Sequence, residues 1–164
     1  QTIVEICSAV GTLSSTKTGA LIVIERNTKI GDVVLTGTPL GSKVSKELIL
    51  NIFYPNTPLH DGAIVIEGNR IKAAACILPL PRHTYVHNDL GTRHRAGIGL
   101  SEVSDAIVCI VSEETGKVSI ARGGNLIFNV DGDFLRAKLM ELQKGKEQEA
   151  KPRKFPRLKG KREK

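Results

Sequence analysis

The sequence predicts an α/β domain in which helices flank a mixed central β-sheet. The chain has 164 residues, of which 40% are hydrophobic and only 4% aromatic. Its core must therefore consist mainly of Ile, Val, Leu and Ala, which suit buried strands. Short apolar runs and segments of helical periodicity follow one another without strict βαβ alternation. This order favours a mixed sheet over a purely parallel one.

The first half of the chain is predicted to contain two helices and four strands. The elements are a helix through Ile3, Ile6, Cys7 and Val10, strands at 19–25 and 32–37, a helix through Val44, Leu48, Ile49 and Ile52, a segment at 59–67 that runs from a loop into a strand, and a strand at 70–78. Pro55 and Pro58 end the second helix, because proline lacks the amide that a helix requires. Gly68 and Asn69 form a tight turn, so the last two strands are predicted to pair as a hairpin.

The second half is predicted to contain three strands between two helices. The elements are a loop at 79–90, a short helix within 91–104, strands at 106–112, 117–122 and 125–130, and a final helix with Phe134, Leu135, Leu139 and Leu142 on its apolar face. Turn residues at 114–116 and 123–124 separate the three strands. Asp131 is the predicted N-cap of the final helix, since its carboxylate can accept a hydrogen bond from the first turn.

The net charge of +7 belongs to the C-terminal end of the chain. Of the 24 basic and 17 acidic residues, residues 143–164 contain ten and three, so residues 1–142 contain 14 of each. We therefore predict one domain at 1–142 and a basic, disordered tail at 143–164, because the tail has few apolar residues to bury. A solvated extension is favoured there over an electrostatic contact with a membrane surface or nucleic acid.

The cysteines and the apolar runs exclude several classes of protein. Cys7, Cys76 and Cys109 form no CxxC pair, and we expect Cys76 and Cys109, which lie inside apolar runs, to be small core residues in a reducing compartment. The longest apolar runs have six residues, whereas a membrane-spanning helix needs about 20. No secretory signal is present. Because the chain begins with Gln1 rather than Met, we expect it to be a fragment or a processed product.

A first candidate site is the segment His60-Asp61-Gly62-Ala63, directly before an apolar strand. A carboxylate there can hold a divalent cation or polarise a hydroxyl, and a neutral imidazole beside it can be a metal ligand. Glycine permits the close approach of a bulky ligand. The alternative is a plain turn, since Asp-Gly is a common turn dipeptide.

A second candidate site is the segment Thr92-Arg93-His94-Arg95, which follows Gly91. Arginine is seldom buried without a partner, so two guanidiniums beside an imidazole are poorly explained by packing. Each guanidinium can bind phosphate oxygens in a bidentate manner, and Thr92 adds a donor. Phosphate binding is therefore favoured over a solvated basic loop.

Two further segments are weaker candidates. Ser112-Glu113-Glu114 lies at a strand end, where two carboxylates are usually exposed turn residues, although they could bind a ribose, a base or a cation. The segment Gly123-Gly124-Asn125 lacks the spacing and lysine of a P-loop. It is interpreted as a hairpin turn.

The motifs LHDGA, GTRHRAGIGLSEVSD and SEETG occur in this order. Together they resemble the catalytic domain of diadenylate cyclases, specifically the membrane-anchored CdaA type, over residues 1–142. The resemblance implies synthesis of cyclic di-AMP from two ATP molecules, with release of two pyrophosphates and dependence on Mn²⁺ or Mg²⁺. It also implies a face-to-face homodimer, since one set of motifs holds one ATP.

The resemblance also implies a role for each matching position. It assigns Asp61 to the ribose 3′-hydroxyl and a metal, His60 to the same metal, Gly62 and Ala63 to the nucleotide, the catalytic triplet Arg93, His94 and Arg95 with Thr92 to the triphosphate, and Leu78, Ser112 and Glu114 to the adenine and ribose pocket. Ile77 departs from the family, in which an aromatic residue often lies beside the base.

Further expectations concern the cellular context. In the anchored type of this family, transmembrane helices precede the catalytic domain, so the full-length protein is expected at the cytosolic face of the bacterial membrane, with this chain as its soluble part. The resemblance suggests a YbbR-domain regulator and phosphoglucosamine mutase as partners, and no specific nucleic acid. The alternative function is a non-catalytic adenine-nucleotide sensor, which would need the arginines but not Asp61.

Overall fold

The structure is a computed structural model that describes residues 1–82 and 90–150, with the side chains of 146–150 left out. The helices are α1 (Thr2–Ser15), α2 (Gly31–Leu35), α3 (Lys46–Phe53), α4 (Thr92–Val103) and α5 (Gly132–Ala150). The strands are β1 (Ala20–Ile24), β2 (Thr38–Lys43), β3 (Ala63–Glu67), β4 (Arg70–Cys76), β5 (Ile107–Val111), β6 (Val118–Arg122) and β7 (Asn125–Ile127). The predicted class, a mixed sheet with flanking helices, is confirmed.

The strands form one seven-stranded sheet in the order β2-β4-β3-β1-β5-β6-β7. β1 and β3 are parallel, and the other neighbouring pairs are antiparallel. The parallel pair occupies the middle of the sheet, where both faces are covered. This explains why β1, β3 and β5 read as continuous apolar runs rather than alternating ones.

Each face of the sheet carries its own hydrophobic core. On one face, Ile22, Ile64 and Ile120 pack with the buried residues of α1, α3 and α5. On the other face, Val23 and Val65 pack with residues of α4 and with the apolar side chains of α2. Alternate residues of β1, β3 and β5 thus point to opposite cores, and the domain is a sheet between two helical layers.

Helix α4 lies close to the sheet because it contains small residues. A Cβ added at Gly97 would lie 2.9 Å from Ile110 Cδ1, and one added at Gly99 would overlap the carbonyl oxygen of Pro79. The sheet therefore packs against one side of the helix, and the segment after β4 crosses it at Gly99. These two contacts fix where the N-terminus of α4 lies.

The prediction of a strand at 32–37 is wrong, because residues 31–35 form α2. Val33 and Val34 both pack against the core shared with α4. Neighbouring residues of a strand point to opposite faces, whereas neighbouring residues of a helix are about 100° apart and can reach the same core. The strand of this region is β2, which has no apolar run to reveal it in the sequence, because it is exposed and contains Pro39 and Gly41.

Several predicted boundaries also differ from the structure. α1 and α4 are longer than predicted, and α5 continues to Ala150, into the segment expected to be disordered. The rest of that segment, 151–164, and most of the predicted loop, 83–89, lie outside the described residues. Phe134 is 42% exposed rather than part of the buried face of α5, which consists of Leu135, Leu139 and Leu142.

Two further predictions are confirmed, namely the burial of Cys76 and Cys109 and the turn at Gly123 and Gly124. The three thiols are free, and Cys76 and Cys109 are buried, where burial raises the pKa of the Cys109 thiol to about 12. Gly123 and Gly124 form the hairpin turn between β6 and β7 with positive φ. Across the described ranges, no helix has the length and apolar character needed to cross a bilayer.

Asp131 caps α5 as predicted, since its Oδ1 accepts a hydrogen bond from the amide of Phe134 at 2.7 Å. We expect Asp131→Ala to lower the free energy of unfolding by about 1 kcal/mol, because one amide of the first turn loses its partner. Urea denaturation followed by far-UV circular dichroism measures this change. Asp131→Asn is the control and should retain most of the stability, since asparagine caps helices about as well as aspartate. Equal losses in both variants would contradict the capping role.

Candidate functional site

The candidate residues meet at one edge of the sheet because of the strand directions. Ala20, the first residue of β1, pairs with Val111, the last residue of β5. β3 runs parallel to β1, with Ile22 opposite Ile64, so β3 begins at the same edge. The segments before β1, before β3 and after β5 therefore lie side by side.

His60 and Asp61 form a pair directly before β3. His60 Nδ1 lies 2.7 Å from the carbonyl oxygen of Thr57, so Nδ1 must carry the proton, because a carbonyl only accepts. His60 Nε2 faces Asp61 Oδ1 at 3.3 Å. In a neutral imidazole this nitrogen is an acceptor, so two acceptors face each other, an arrangement that favours a cation between them.

The pair also has the donor set of a small metal site. An imidazole nitrogen and a carboxylate oxygen both suit Mn²⁺, and a carboxylate suits Mg²⁺. The described part of the chain contains no cluster of three or more metal-ligating side chains. Mg²⁺ is usually bound by one or two protein carboxylates plus water and substrate phosphates. The side chains of His60 and Asp61 therefore fit a divalent cation that a phosphate-bearing ligand helps to hold.

Gly62 is required by the backbone around it. Its φ is +93°, and an added Cβ would lie 2.7 Å from the carbonyl oxygen of Cys76. The glycine thus lets the start of β3 lie close to the end of β4. The sequence analysis expected the space at this glycine to admit a ligand, whereas the structure fills it with the backbone of β4. The side chains of Ala63 and Leu78 are buried in the core shared with α4, so they support this corner of the site from beneath.

The N-terminus of α4 presents backbone amides and cationic side chains together. The N-cap is Gly91, and among the described residues no side chain caps this end. The first helical hydrogen bond joins the amide of Arg95 to the carbonyl of Gly91 at 3.2 Å. The preceding amides lie at the positive end of the helix dipole, an arrangement that binds anions. Thr92 and Arg95 are exposed in the same turn.

Arg93 is the best-covered cation of this turn. Its side chain is 19% exposed, and its Nη1 lies 3.4 Å from Oε2 of Glu113. Burial first, and then the charge of Arg93, lower the pKa of the neighbouring His94 from its usual value. At neutral pH, His94 is therefore an uncharged side chain that can donate one ring N–H.

A cleft of about 370 Å³ joins α4 to the end of β5. Its lining includes Arg93, His94, Ser112, Glu113 and Glu114, which belong to the candidate segments of the sequence, and Lys117, Phe128 and Asn129, which do not. Lys117 and Phe128 belong to predicted strands, where the apolar pattern indicates secondary structure but not a binding site. Nothing in the sequence therefore marked these two residues as functional. A cavity of about 540 Å³ at the opposite edge of the sheet contains none of the predicted site residues.

Ser112 has a structural role in this cleft. Its Oγ accepts hydrogen bonds from the amides of Glu114 and Thr115, both at 3.3 Å. These bonds shape the turn after β5 and place Glu113 beside Arg93. Asp61 is 88% exposed and is not among the residues that line this cleft. The edge therefore has two parts, an open His60-Asp61 pair before β3 and a cleft at α4 that contains Arg93.

Comparison with known proteins shows close relatives. The chain is 53% identical over 126 residues to the cyclic di-AMP synthase CdaA of Bacillus subtilis, which covers 77% of this chain and 46% of that protein. It is 47% identical over 129 residues to a diadenylate cyclase of Listeria monocytogenes, which covers 79% of this chain and 47% of that protein. The chain thus spans about half the length of the curated relatives it matches.

Solved structures agree with the fold. A crystal structure of a double mutant of DacA from Staphylococcus aureus superposes with a TM-score of 0.84 at 43% identity, covering 86% of this chain and 94% of that one. A hypothetical membrane spanning protein from Bacillus cereus superposes with a TM-score of 0.76 at 49% identity, covering 78% and 63%. Residues 7–126 match the family described as DisA bacterial checkpoint controller nucleotide-binding, abbreviated DAC. With this match and these relatives, the chain belongs to the DAC family.

Proposed function

We propose that this chain is the catalytic domain of a diadenylate cyclase, which joins two ATP molecules into cyclic di-AMP and releases two pyrophosphates. The observation that carries the proposal is the meeting of the His60-Asp61 pair and the Arg93 cleft at one sheet edge. The names of the relatives, cyclic di-AMP synthase and diadenylate cyclase, support the same reaction.

The reaction is a phosphoryl transfer that occurs twice for each product. The ribose 3′-oxygen of one ATP attacks the α-phosphorus of the other, and the bond from that phosphorus to the bridging oxygen of the pyrophosphate breaks. Asp61 orients the attacking hydroxyl, and the hydroxyl proton passes to its carboxylate and then to water. The exposure of Asp61 leaves room for a ribose beside it.

The cleft at the N-terminus of α4 is proposed to hold the triphosphate. Arg93, Arg95 and the open amides of α4 neutralise charge on the α-phosphate and on the leaving pyrophosphate, which is the main catalytic requirement of such a transfer. Neutral His94 donates a hydrogen bond without adding charge. When ATP enters, Arg93 exchanges its contact with Glu113 for one with phosphate.

The remaining predicted residues surround the nucleoside. Ser112 and Glu114 line the cleft and are proposed to contact the ribose and base, whereas Gly62, Ala63 and Leu78 form the support beneath. Ile77, which is 69% exposed near the end of β4, offers an aliphatic surface to the base where relatives often have an aromatic ring.

We propose Mn²⁺ or Mg²⁺ as the cofactor, held by His60 and Asp61. When bound, the cation would lower the pKa of the 3′-hydroxyl and reduce the negative charge of the phosphates. The facing acceptor atoms of His60 and Asp61 support this proposal, since a cation between them would remove their repulsion.

The catalytic unit is proposed to be a homodimer. Each chain has one His60-Asp61 pair and one arginine cleft, whereas the product has two new phosphodiester bonds. Two chains that face each other across a two-fold axis place each ribose hydroxyl opposite the α-phosphate bound by the partner.

The proposed cellular context follows from the family. We propose that the full-length protein is anchored so that this domain lies at the cytosolic face of the bacterial membrane, and that a YbbR-domain protein and phosphoglucosamine mutase regulate it. The description of the Bacillus cereus neighbour as membrane spanning supports the anchoring.

Asp61→Asn tests the catalytic role of the carboxylate. The substitution is nearly isosteric at an exposed position, so we expect an intact fold, retained ATP binding and product formation lowered by at least ~10²-fold. Chromatographic detection of cyclic di-AMP after incubation with ATP and Mn²⁺ measures the effect. Asp32→Asn, an exposed position in α2, is the control and should retain activity. A folded Asp61→Asn protein with normal turnover would contradict the assignment, and a wild-type protein that binds ATP without product would indicate a nucleotide sensor.

Replacing Arg93 and Arg95 together by Ala tests the phosphate cleft. Each charge-assisted contact contributes about 1.5 to 3 kcal/mol, so ATP affinity should fall by at least about tenfold while adenosine affinity stays the same. Calorimetry measures both affinities. The control replaces Arg70 and Arg122, both exposed, by Ala, which removes the same net charge outside the cleft. If ATP affinity falls equally in the control, the effect is one of overall charge and the cleft is not the phosphate site.

A dilution series tests the dimer. Association has an entropic cost of at least several kcal/mol, so a weak dimer should dissociate on dilution. We therefore expect the initial rate per mole of protein to rise with protein concentration until dimer formation saturates. Light scattering under turnover conditions reports the oligomeric state. Constant specific activity over a range in which scattering shows only monomers would rule out the facing-dimer mechanism.

A further inference from the structure

Gly19 lies directly against the guanidinium of Arg93. A Cβ added at Gly19 would lie 2.6 Å from Cζ, 2.6 Å from Nη1 and 3.0 Å from Nε of Arg93. Ordinary contacts of a Cβ begin at 3.4 Å. Gly19 is itself buried, because the guanidinium covers the backbone just before β1.

On the side away from Gly19, the guanidinium of Arg93 contacts the turn after β5. Arg93 Nη1 lies 3.4 Å from Oε2 of Glu113, and the position of Glu113 follows from the turn that Ser112 stabilises. The guanidinium therefore occupies a slot between the start of β1 and the end of β5, which are neighbouring strands. The floor of this slot is the Cα of Gly19.

We propose that the absence of a side chain at Gly19 positions Arg93 for the triphosphate, so that Gly19 is a positioning residue of the reaction. This proposal rests on the proposed function, in which Arg93 binds phosphate. The backbone does not require glycine here, because φ of Gly19 is not positive. The glycine is required only by the space that the guanidinium fills, and alanine would displace that group by about 1 Å.

The first test is Gly19→Ala. A misplacement of about 1 Å can reduce rate by about 10²-fold, so we expect kcat/KM for ATP to fall by about 10- to 100-fold. Adenosine affinity and the midpoint of thermal unfolding should stay near the wild-type values. Gly11→Ala is the matched control, since Gly11 lies in α1 with no atom within 4 Å of an added Cβ. The control should leave kcat/KM unchanged.

The second test shows whether the effect passes through Arg93. In the Arg93→Ala background, the added methyl group has no guanidinium to displace, so Gly19→Ala should have no further effect on ATP affinity. The ¹⁵N spectrum of the arginine Nε–H groups gives a readout independent of ATP. The Arg93 signal, assigned by its loss in Arg93→Ala, should shift in Gly19→Ala and stay in place in Gly11→Ala.

The outcomes separate this proposal from the function on which it rests. If Arg93→Ala leaves ATP affinity unchanged, the phosphate role of Arg93 is wrong. The positioning role is wrong if Arg93→Ala weakens ATP binding but Gly19→Ala changes neither kcat/KM nor the Arg93 signal. It is also wrong if the effects of the two substitutions on ATP affinity add in the double variant. Should Gly19→Ala fail to fold, the proposal requires that the double variant with Arg93→Ala folds, because the three nearest atoms all belong to Arg93.

Discussion

The parallel pairing of β1 with β3, within a sheet whose other pairs are antiparallel, determines where the chemistry of this domain is located. Because β1 and β3 start at the same edge, the chain before each of them comes to that edge, with Gly19 beside β1 and Asp61 beside β3. Antiparallel β5 ends there as well. Sheet register thus brings together residues that are far apart in sequence, and the cores on both faces hold the register in place.

The two halves of the site differ in their exposure to solvent. Arg93 is mostly covered and held between backbone and carboxylate, which suits the phosphate contact proposed for it, because a fixed cation needs little reorganisation. Asp61 is almost fully exposed, and an exposed carboxylate has a weak electrostatic influence in water. A second surface that covers Asp61 would strengthen that influence by excluding water. The proposed facing dimer would supply such a surface from the second copy of the chain.

The sequence predicted the parts of the fold in which local and global preferences agree. The apolar runs became buried strands, and Asp131 became the cap of α5. Prediction failed at β2, where Pro39 and Gly41 are residues typical of a loop. This segment is a strand because it pairs with β4. The motifs named Asp61, Arg93 and Glu113 as candidates, but the ion pair of Glu113 with Arg93 and the place of Gly19 beside it could not be recognised from sequence. Their roles depend on a contact between α4, β1 and β5 that no local pattern encodes.

The two outer strands of the sheet have a further consequence for how copies of the domain meet. β7 has only three residues, and β2 has Pro39, a register shift between Pro39 and Ser42, and a terminal Lys43. Short strands, prolines, bulges and lysines at an edge prevent a sheet from extending into that of a neighbour. Both edge strands are therefore protected against pairing with a strand of another molecule. At high concentration, contacts between copies of the domain would have to form through side chains rather than through backbone hydrogen bonds.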